Sequence, residues 1–170
     1  MKYRLFMAPT NDAVQEIEVT SWHRKCLSYL AEAKAAASKS KDLSTQVGAV
    51  VIDVDHSLRV SGRNGFPRRI NDDVAARHER PAKYMWTAHA EENCFNQAAR
   101  MGVSLMGCML LVTSLHPCTR CSRGIIQTGI STVYAPLTNA NPTWDEESVV
   151  AMEMLKEAGI IIYYYEEIEE

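Results

Sequence analysis

The chain is predicted to fold as an α/β domain of three layers, α/β/α, with helices covering both faces of a five-stranded mixed sheet. Three observations predict it. Apolar residues recur at helical spacing in one segment near the start, a β-branched run with a turn behind it follows, and from His89 to Tyr165 helical and strand patterns alternate. A hairpin supplies an antiparallel pair, whereas strand–helix–strand units set strands parallel, so a sheet that holds both is mixed. The 170 residues correspond to about one domain, and 46% apolar residues are enough to build its core.

Residues 3–7 alternate as a strand would, Pro9-Thr10-Asn11-Asp12 breaks the pattern, and residues 13–19 read as irregular, so 1–19 is an N-terminal extension of unclear structure. From Ser21 to Ser38, Trp22, Cys26, Leu27, Leu30, Ala33 and Ala37 form the apolar stripe of one helix, capped by Thr20 or Ser21. Val47 to Asp53 is a buried strand, and Asp55-His56-Ser57 turns it into Leu58–Gly62. Between Gly62 and Tyr84 the pattern collapses into Gly, Pro, Asn and Asp with six cations, Arg63, Arg68, Arg69, Arg77, Arg80 and Lys83. A loop of that length inside a small domain is usually functional or disordered. His89 to Met101 is a helix ended by Gly102, Cys108–Thr113 a strand, Cys118–Thr128 a short helix closed by Gly129, and Ile130–Ala135 a strand. Pro136 to Pro142 is loop, Asp145–Ala158 a helix ended by Gly159, and Ile160–Tyr165 the fifth strand. The main domain is therefore 20–165, and 166–170 is an acidic, solvated tail.

The formal charge of -3 lacks the strong basic bias of proteins that coat long nucleic acids, although a small anionic ligand needs only a local basic patch. No run approaches the roughly 18 apolar residues of a membrane span, and the start of the chain carries no apolar signal segment, so a cytoplasmic protein is expected. Five cysteines are an odd count, and two stand in Cys-x-x-Cys, which points to metal rather than disulfides. Cys26, Cys94 and Cys108 lie in apolar segments and read as small buried hydrophobes.

The chemistry is concentrated in Thr87-Ala88-His89-Ala90-Glu91-Glu92-Asn93, answered 24 residues later by Pro117-Cys118-Thr119-Arg120-Cys121. One imidazole and two thiols, from His89, Cys118 and Cys121, fill three places of a tetrahedral Zn2+ site and leave the fourth open for water. Glu91 can then move protons without occupying the metal. Cys118 and Cys121 share a face if they begin a helix, and Pro117 suits that start. Residues i and i+2 of a regular helix point about 200° apart, so His89 and Glu91 converge only if His89 sits at the very end of its helix. A closed zinc site is the competing reading, with His116, His78 or Cys94 as fourth ligand. Glu92 is expected to face solvent or an arginine. His-x-Glu with Pro-Cys-x-x-Cys is the pattern of zinc-dependent base deaminases.

The chain resembles the deoxycytidylate (dCMP) deaminases of the zinc-dependent cytidine deaminase superfamily over most of Tyr29 to Gly159. The likeness rests on Ser44-Thr45-Gln46-Val47-Gly48-Ala49, Gly62-Arg63-Asn64-Gly65-Phe66-Pro67, Glu79-Arg80-Pro81-Ala82-Lys83-Tyr84, the two zinc motifs, Ala98-Ala99-Arg100-Met101-Gly102 and Ile125-Ile126-Gln127-Thr128-Gly129-Ile130. It implies a cytidine deaminase-like fold, a single catalytic domain, zinc on His89, Cys118 and Cys121, and Glu91 as proton shuttle. It also implies that Asn64 holds the sugar and that the Ala90 N–H meets the pyrimidine carbonyl. Tyr134, Trp86 or Trp144 would stack on the base, each with packing as the alternative role. The resemblance further implies release of ammonia from dCMP to give dUMP for thymidylate synthesis, dCTP activation involving Arg100, dTTP inhibition, Mg2+ with the effector, and a hexameric homo-oligomer. Arg63 stands where the family usually has tyrosine, and Cys94-Phe95 replace a more usual Ala-Ile. The alternatives are a tRNA adenosine, polynucleotide cytidine, free cytidine or guanine deaminase, or a non-catalytic regulatory domain stabilised by zinc.

Overall fold

A computed structural model describes residues 2–7, 14–137 and 146–168. Among the described residues seven strands form one sheet: β1 (Lys2–Met7), β2 (Gln15–Ile17), β3 (Gly48–Ile52), β4 (Leu58–Arg63), β5 (Met109–Val112), β6 (Thr132–Pro136) and β7 (Ile161–Ile168), in the order β2-β1-β7-β6-β5-β3-β4. β5, β6 and β7 run parallel, and the antiparallel pairs β3/β4, β3/β5, β1/β7 and β1/β2 make the sheet mixed. The expected count of five is corrected to seven. The difference lies in the N-terminal segment, where Tyr3 pairs with Glu167 and Leu5 with Tyr165 along a β7 that continues to Ile168, and where the stretch read as irregular supplies β2.

The helices are α1 (Ser21–Ser28), α2 (Leu30–Ala37), a single turn α3 (Lys83–Trp86), α4 (Ala90–Met101), α5 (Thr119–Thr128) and α6 (Glu146–Glu157). Thr20 caps α1, accepting a hydrogen bond from the His23 N–H. The one helix expected over 21–38 is interrupted at Tyr29, whose backbone N–H bonds the Cys26 carbonyl and whose hydroxyl donates to the His56 carbonyl. Gly102 and Gly129 end α4 and α5 as the sequence predicts. Trp144, residues 138–142 of the loop expected over Pro136 to Pro142 and the first residue of the last predicted helix lie outside the described residues, while Pro136 itself closes β6. Among the described residues no helix is long and apolar enough to cross a membrane.

Period-two alternation divides the core between the two faces of the sheet. On β3, Val50 and Ile52 face α1 and α2 with Leu27, Leu30 and Ala33, whereas Ala49 and Val51 face α4 with Ala90, Cys94 and Ala98. The same split sends Val133 and Ala135 of β6 to the α4 side and Tyr134 to the α1–α2 side. β3 is apolar throughout because it is buried on both faces.

α4 rests against β4 at Gly62. A Cβ there would come within 2.3 Å of the Ala90 carbonyl oxygen and 2.9 Å of the Cys94 backbone nitrogen, and neither can yield without moving the helix. Gly62→Ala is expected to lower the free energy of unfolding by about 2 kcal/mol or more, in the range of overpacked cores, as read from urea denaturation. An unchanged midpoint would show that α4 can retreat freely.

Candidate active site

Two helix N-termini meet above the carboxyl end of the parallel strands. His89 is the N-cap of α4, with extended backbone at φ -71 and ψ 161, and its N–H is held by the Glu92 carboxylate at 2.9 Å. Cys118 is the N-cap of α5, also extended, and Cys121 lies within the first turn. With His89 outside the helical geometry, its ring and the carboxyl of Glu91 turn toward the same space despite the i, i+2 spacing. His89 Nδ1 stands 3.4 Å from the sulfur of Cys118 and 3.4 Å from that of Cys121. A tetrahedral zinc ion with ordinary Zn–N and Zn–S bonds spans N···S edges of about 3.6 Å, so the donor set fits that ion.

Among the described residues the donor group within 4.8 Å comprises these three side chains. The side chains considered as a fourth ligand are engaged elsewhere. His78 stacks on Phe66 with its Nε2 against the Asp72 carbonyl, Cys94 is buried with its thiol toward the Ala49 carbonyl, and His116 donates from Nδ1 to the Pro117 carbonyl and stacks on Tyr164. Glu92 also faces Arg120, with a contact of 3.5 Å.

The charges suit a cation. The Cys121 thiol and the His89 imidazole hold Cys118 at about 3, a thiolate at neutral pH, against the opposing effect of burial. Cys121 is pushed up because a second thiolate beside the first is disfavoured. The Cys118 thiolate raises His89 in turn. Glu91 is 4% exposed, and burial pushes its carboxyl up to about 7, against the pull of its own backbone N–H, the His89 ring and the Cys121 thiol.

A cavity of about 300 Å³ adjoins this group and is lined in part by His89, Ala90, Glu91 and Cys118. Its lining also includes Thr45, Val47, Asn64, Arg80, Lys83, Tyr84, Leu115 and His116. Ala90 is the first residue of α4, so its N–H has no partner within the helix. The Asn64 amide is already clamped, donating to the Thr45 carbonyl and accepting from the Val47 N–H, each at 2.9 Å, which leaves one N–H and one lone pair for a ligand.

A second cavity, of about 390 Å³, shares Asp42, Asn64, Lys83 and Thr87 with the first and is lined by Lys39, Lys41, Arg63, Arg68 and Arg100. Arg100 therefore stands in a neighbouring basic recess and not beside Glu91. Tyr134 requires a correction. It is fully buried, packs against the α1–α2 layer and lines neither cavity, because the pleat of β6 points it away from the side that carries His89 and Cys118. Trp86 lines neither cavity and packs beneath the Arg77 guanidinium and against Phe66.

Asp42 was not singled out in the sequence. Its carboxylate accepts from the N–H groups of Ser44 and Thr45 and from Lys83 Nζ, whose ammonium is 3.0 Å away. Asp-x-Ser-Thr is the sequence of such a turn, and this was the available signal.

This combination of layered fold, one imidazole, two thiols and a buried carboxyl is that of the zinc-dependent base deaminases. The chain belongs to the cytidine and deoxycytidylate deaminase family, whose zinc-binding region matches residues 21–136. It is 39% identical over 144 residues to the "Uncharacterized deaminase in luxG 3'region" of Aliivibrio fischeri, covering 84% of this chain and 92% of that protein. It is 31% identical over 137 residues to the deoxycytidylate deaminase of Mus musculus, covering 78% and 74% of the two chains. The fold is shared with the apo crystal structure of dCMP deaminase from cyanophage S-TIM5, at a TM-score of 0.64 and 24% identity over 84% of this chain and 98% of that one.

Burial alone would raise Asp42, but the N–H of Thr45, the Lys83 ammonium and Ser44 together hold it at about 2, below its ordinary 3.8. A carboxylate depressed on folding contributes stability above its ordinary pKa and loses it as pH falls toward the folded value. Wild type should exceed Asp42→Asn by about 2 kcal/mol near neutrality, with the gap closing as pH falls from about 5 to about 2. Urea midpoints across that range test this, and a gap that stays constant would contradict it.

Proposed function

We propose that the chain is a zinc-dependent deoxycytidylate deaminase that converts dCMP and water to dUMP and ammonia. One observation carries the reading: the His89 imidazole lies one tetrahedral edge from the sulfurs of Cys118 and Cys121, and His89, Cys118 and a buried Glu91 line a cavity, in a chain of this family. The choice of substrate is supported by the relatives, among them the Mus musculus deoxycytidylate deaminase and the cyanophage dCMP deaminase, also solved in complex with dCMP and dUMP.

His89 Nδ1 and the sulfurs of Cys118 and Cys121 would hold the zinc ion. Zinc bound there supplies a Lewis acid that brings the pKa of water toward about 7. Glu91, with a carboxyl near 7, both accepts and donates protons at neutral pH. It takes a proton from the attacking water and places it on the ring nitrogen beside the amino-bearing carbon. It then passes the water's second proton to the amino group, which leaves as ammonia while the water oxygen remains as the new carbonyl. The Ala90 N–H donates to the pyrimidine carbonyl, and the free N–H and lone pair of Asn64 meet the sugar. The basic recess containing Arg100 is the place for an effector triphosphate with Mg2+, dCTP as activator and dTTP as inhibitor, supported by its surplus of cations over carboxylates.

Ammonia release from dCMP, CMP, deoxycytidine, dCTP and a tRNA fragment, with and without added dCTP or dTTP, tests the reading. dCMP is expected to be the preferred substrate, and preference for the tRNA fragment or the free nucleoside would overturn the assignment. Glu91→Gln should retain one zinc per chain by metal analysis and lose about 10²- to 10⁴-fold in kcat. Cys121→Ser should lose the metal as well as the activity. A Glu91→Gln protein with most of its turnover would remove Glu91 from the proton path.

A further inference from the structure

A nucleotide bound with its base at Glu91 must leave its phosphate on some other part of the same cavity, and a phosphate that gives up water needs fixed cationic donors in return. The loop from Gly62 to Tyr84 offers six cations, and the structure separates them. Arg63 and Arg68 line the neighbouring recess and not this cavity, while Arg77 lies over the Trp86 ring, 4.2 Å from its centroid. Of these six, only Arg80 and Lys83 line the cavity above Glu91.

Lys83 is already spent. An ammonium has three N–H donors. The three acceptors around Lys83 Nζ are Asp42 Oδ1 at 3.2 Å, Asp42 Oδ2 at 3.0 Å and Ser44 Oγ at 2.6 Å. The Asp42 carboxylate also cancels its charge, and the residue is 8% exposed. Arg80 is in the opposite condition. Its side chain is exposed, it makes no ion pair among the described residues, and its guanidinium lies 5.9 Å from the centre of the Tyr84 ring, itself part of the cavity wall. A guanidinium carries five donors in a planar fork that matches two phosphate oxygens at once.

We propose that Arg80 holds the 5′-phosphate of the substrate and thereby makes the enzyme select nucleoside monophosphates over nucleosides. This assignment rests on the deaminase reading above and adds to it the residue that reads the phosphate.

The test compares wild type, Arg80→Gln and Arg80→Lys on two pairs of compounds. Deamination is measured with dCMP and with deoxycytidine, and equilibrium binding with dUMP and with deoxyuridine. Arg80→Gln should lose about 10- to 100-fold in kcat/KM for dCMP, the worth of charge-assisted hydrogen bonds, and a similar factor in dUMP affinity. Activity on deoxycytidine and affinity for deoxyuridine should not change. Arg80→Lys should fall between wild type and Arg80→Gln on the phosphorylated compounds, since a lysine restores the charge without the fork. Equal losses on phosphorylated and unphosphorylated compounds, or no loss on either, would overturn the assignment. A wild type that releases ammonia from neither substrate would overturn the deaminase reading, and the binding comparison would still decide Arg80.

Discussion

The structure depends on one close approach, that of the N-terminus of α4 to the N-terminus of α5. Each contributes its N-cap residue, His89 or Cys118, and the imidazole and sulfur come within 3.4 Å of each other. An N-cap has extended backbone, so its side chain leaves the chain in a direction that no helical residue shares. That freedom lets His89 and Glu91 serve one site although they are two residues apart. The positive ends of both helices favour the Cys118 thiolate and any anionic group brought there.

The sheet fixes that approach from beneath. Gly62 lets α4 settle on β4 by backbone contact, and the Asn93 amide donates to the Arg63 carbonyl across the same seam. The long basic loop follows from this placement. It re-enters through the bridge between Gly65 and Ala88, and it is held by the stack of Phe66 on His78 and by the Lys83–Asp42 pair. A segment with few apolar residues and no regular element beyond the single turns at Ala75–Arg77 and Lys83–Trp86 is thus ordered by ring stacking and buried charge pairing, and its residues line both cavities.

The parts of this arrangement that depend on local patterns could be read from the sequence. Val47 to Asp53 is apolar without interruption, and it is a strand buried on both faces. Gly102 and Gly129 mark helix ends by composition alone, and the His-x-Glu and Cys-x-x-Cys spacings announce the donors because ligand spacing at a helix start is a local property. The parts that depend on tertiary partners could not. β2 is only three residues long and carries no pattern, and β1, although its residues alternate, gives no sign of its partner; β1 joins the sheet because the edge of β7 is available to it, and β2 in turn pairs with β1. Tyr134 carries no mark of which face of β6 it occupies, since a strand buried on both sides gives aromatic residues no polar alternation to betray their direction. Asp42 was missed for a similar reason: its partner Lys83 lies 41 residues away, and only the fold brings the two together.

Bulk charge is a poor guide to what such a chain can hold. The net charge of -3 coexists with a recess lined by Lys39, Lys41, Arg63, Arg68 and Arg100, and several of the carboxylates that set the total are committed to surface pairs such as Glu16 with Arg4 and Glu167 with Lys34. Exposed pairs of that kind are screened by water and contribute little to stability or to the field at the site. Along the cavity walls the balance is decided residue by residue, since a buried pair such as Lys83–Asp42 is screened less than an exposed one. Asp42 neutralises Lys83 there, while Arg80 has no such partner among the described residues, so two cations three positions apart in the sequence differ in what they have left to offer a ligand.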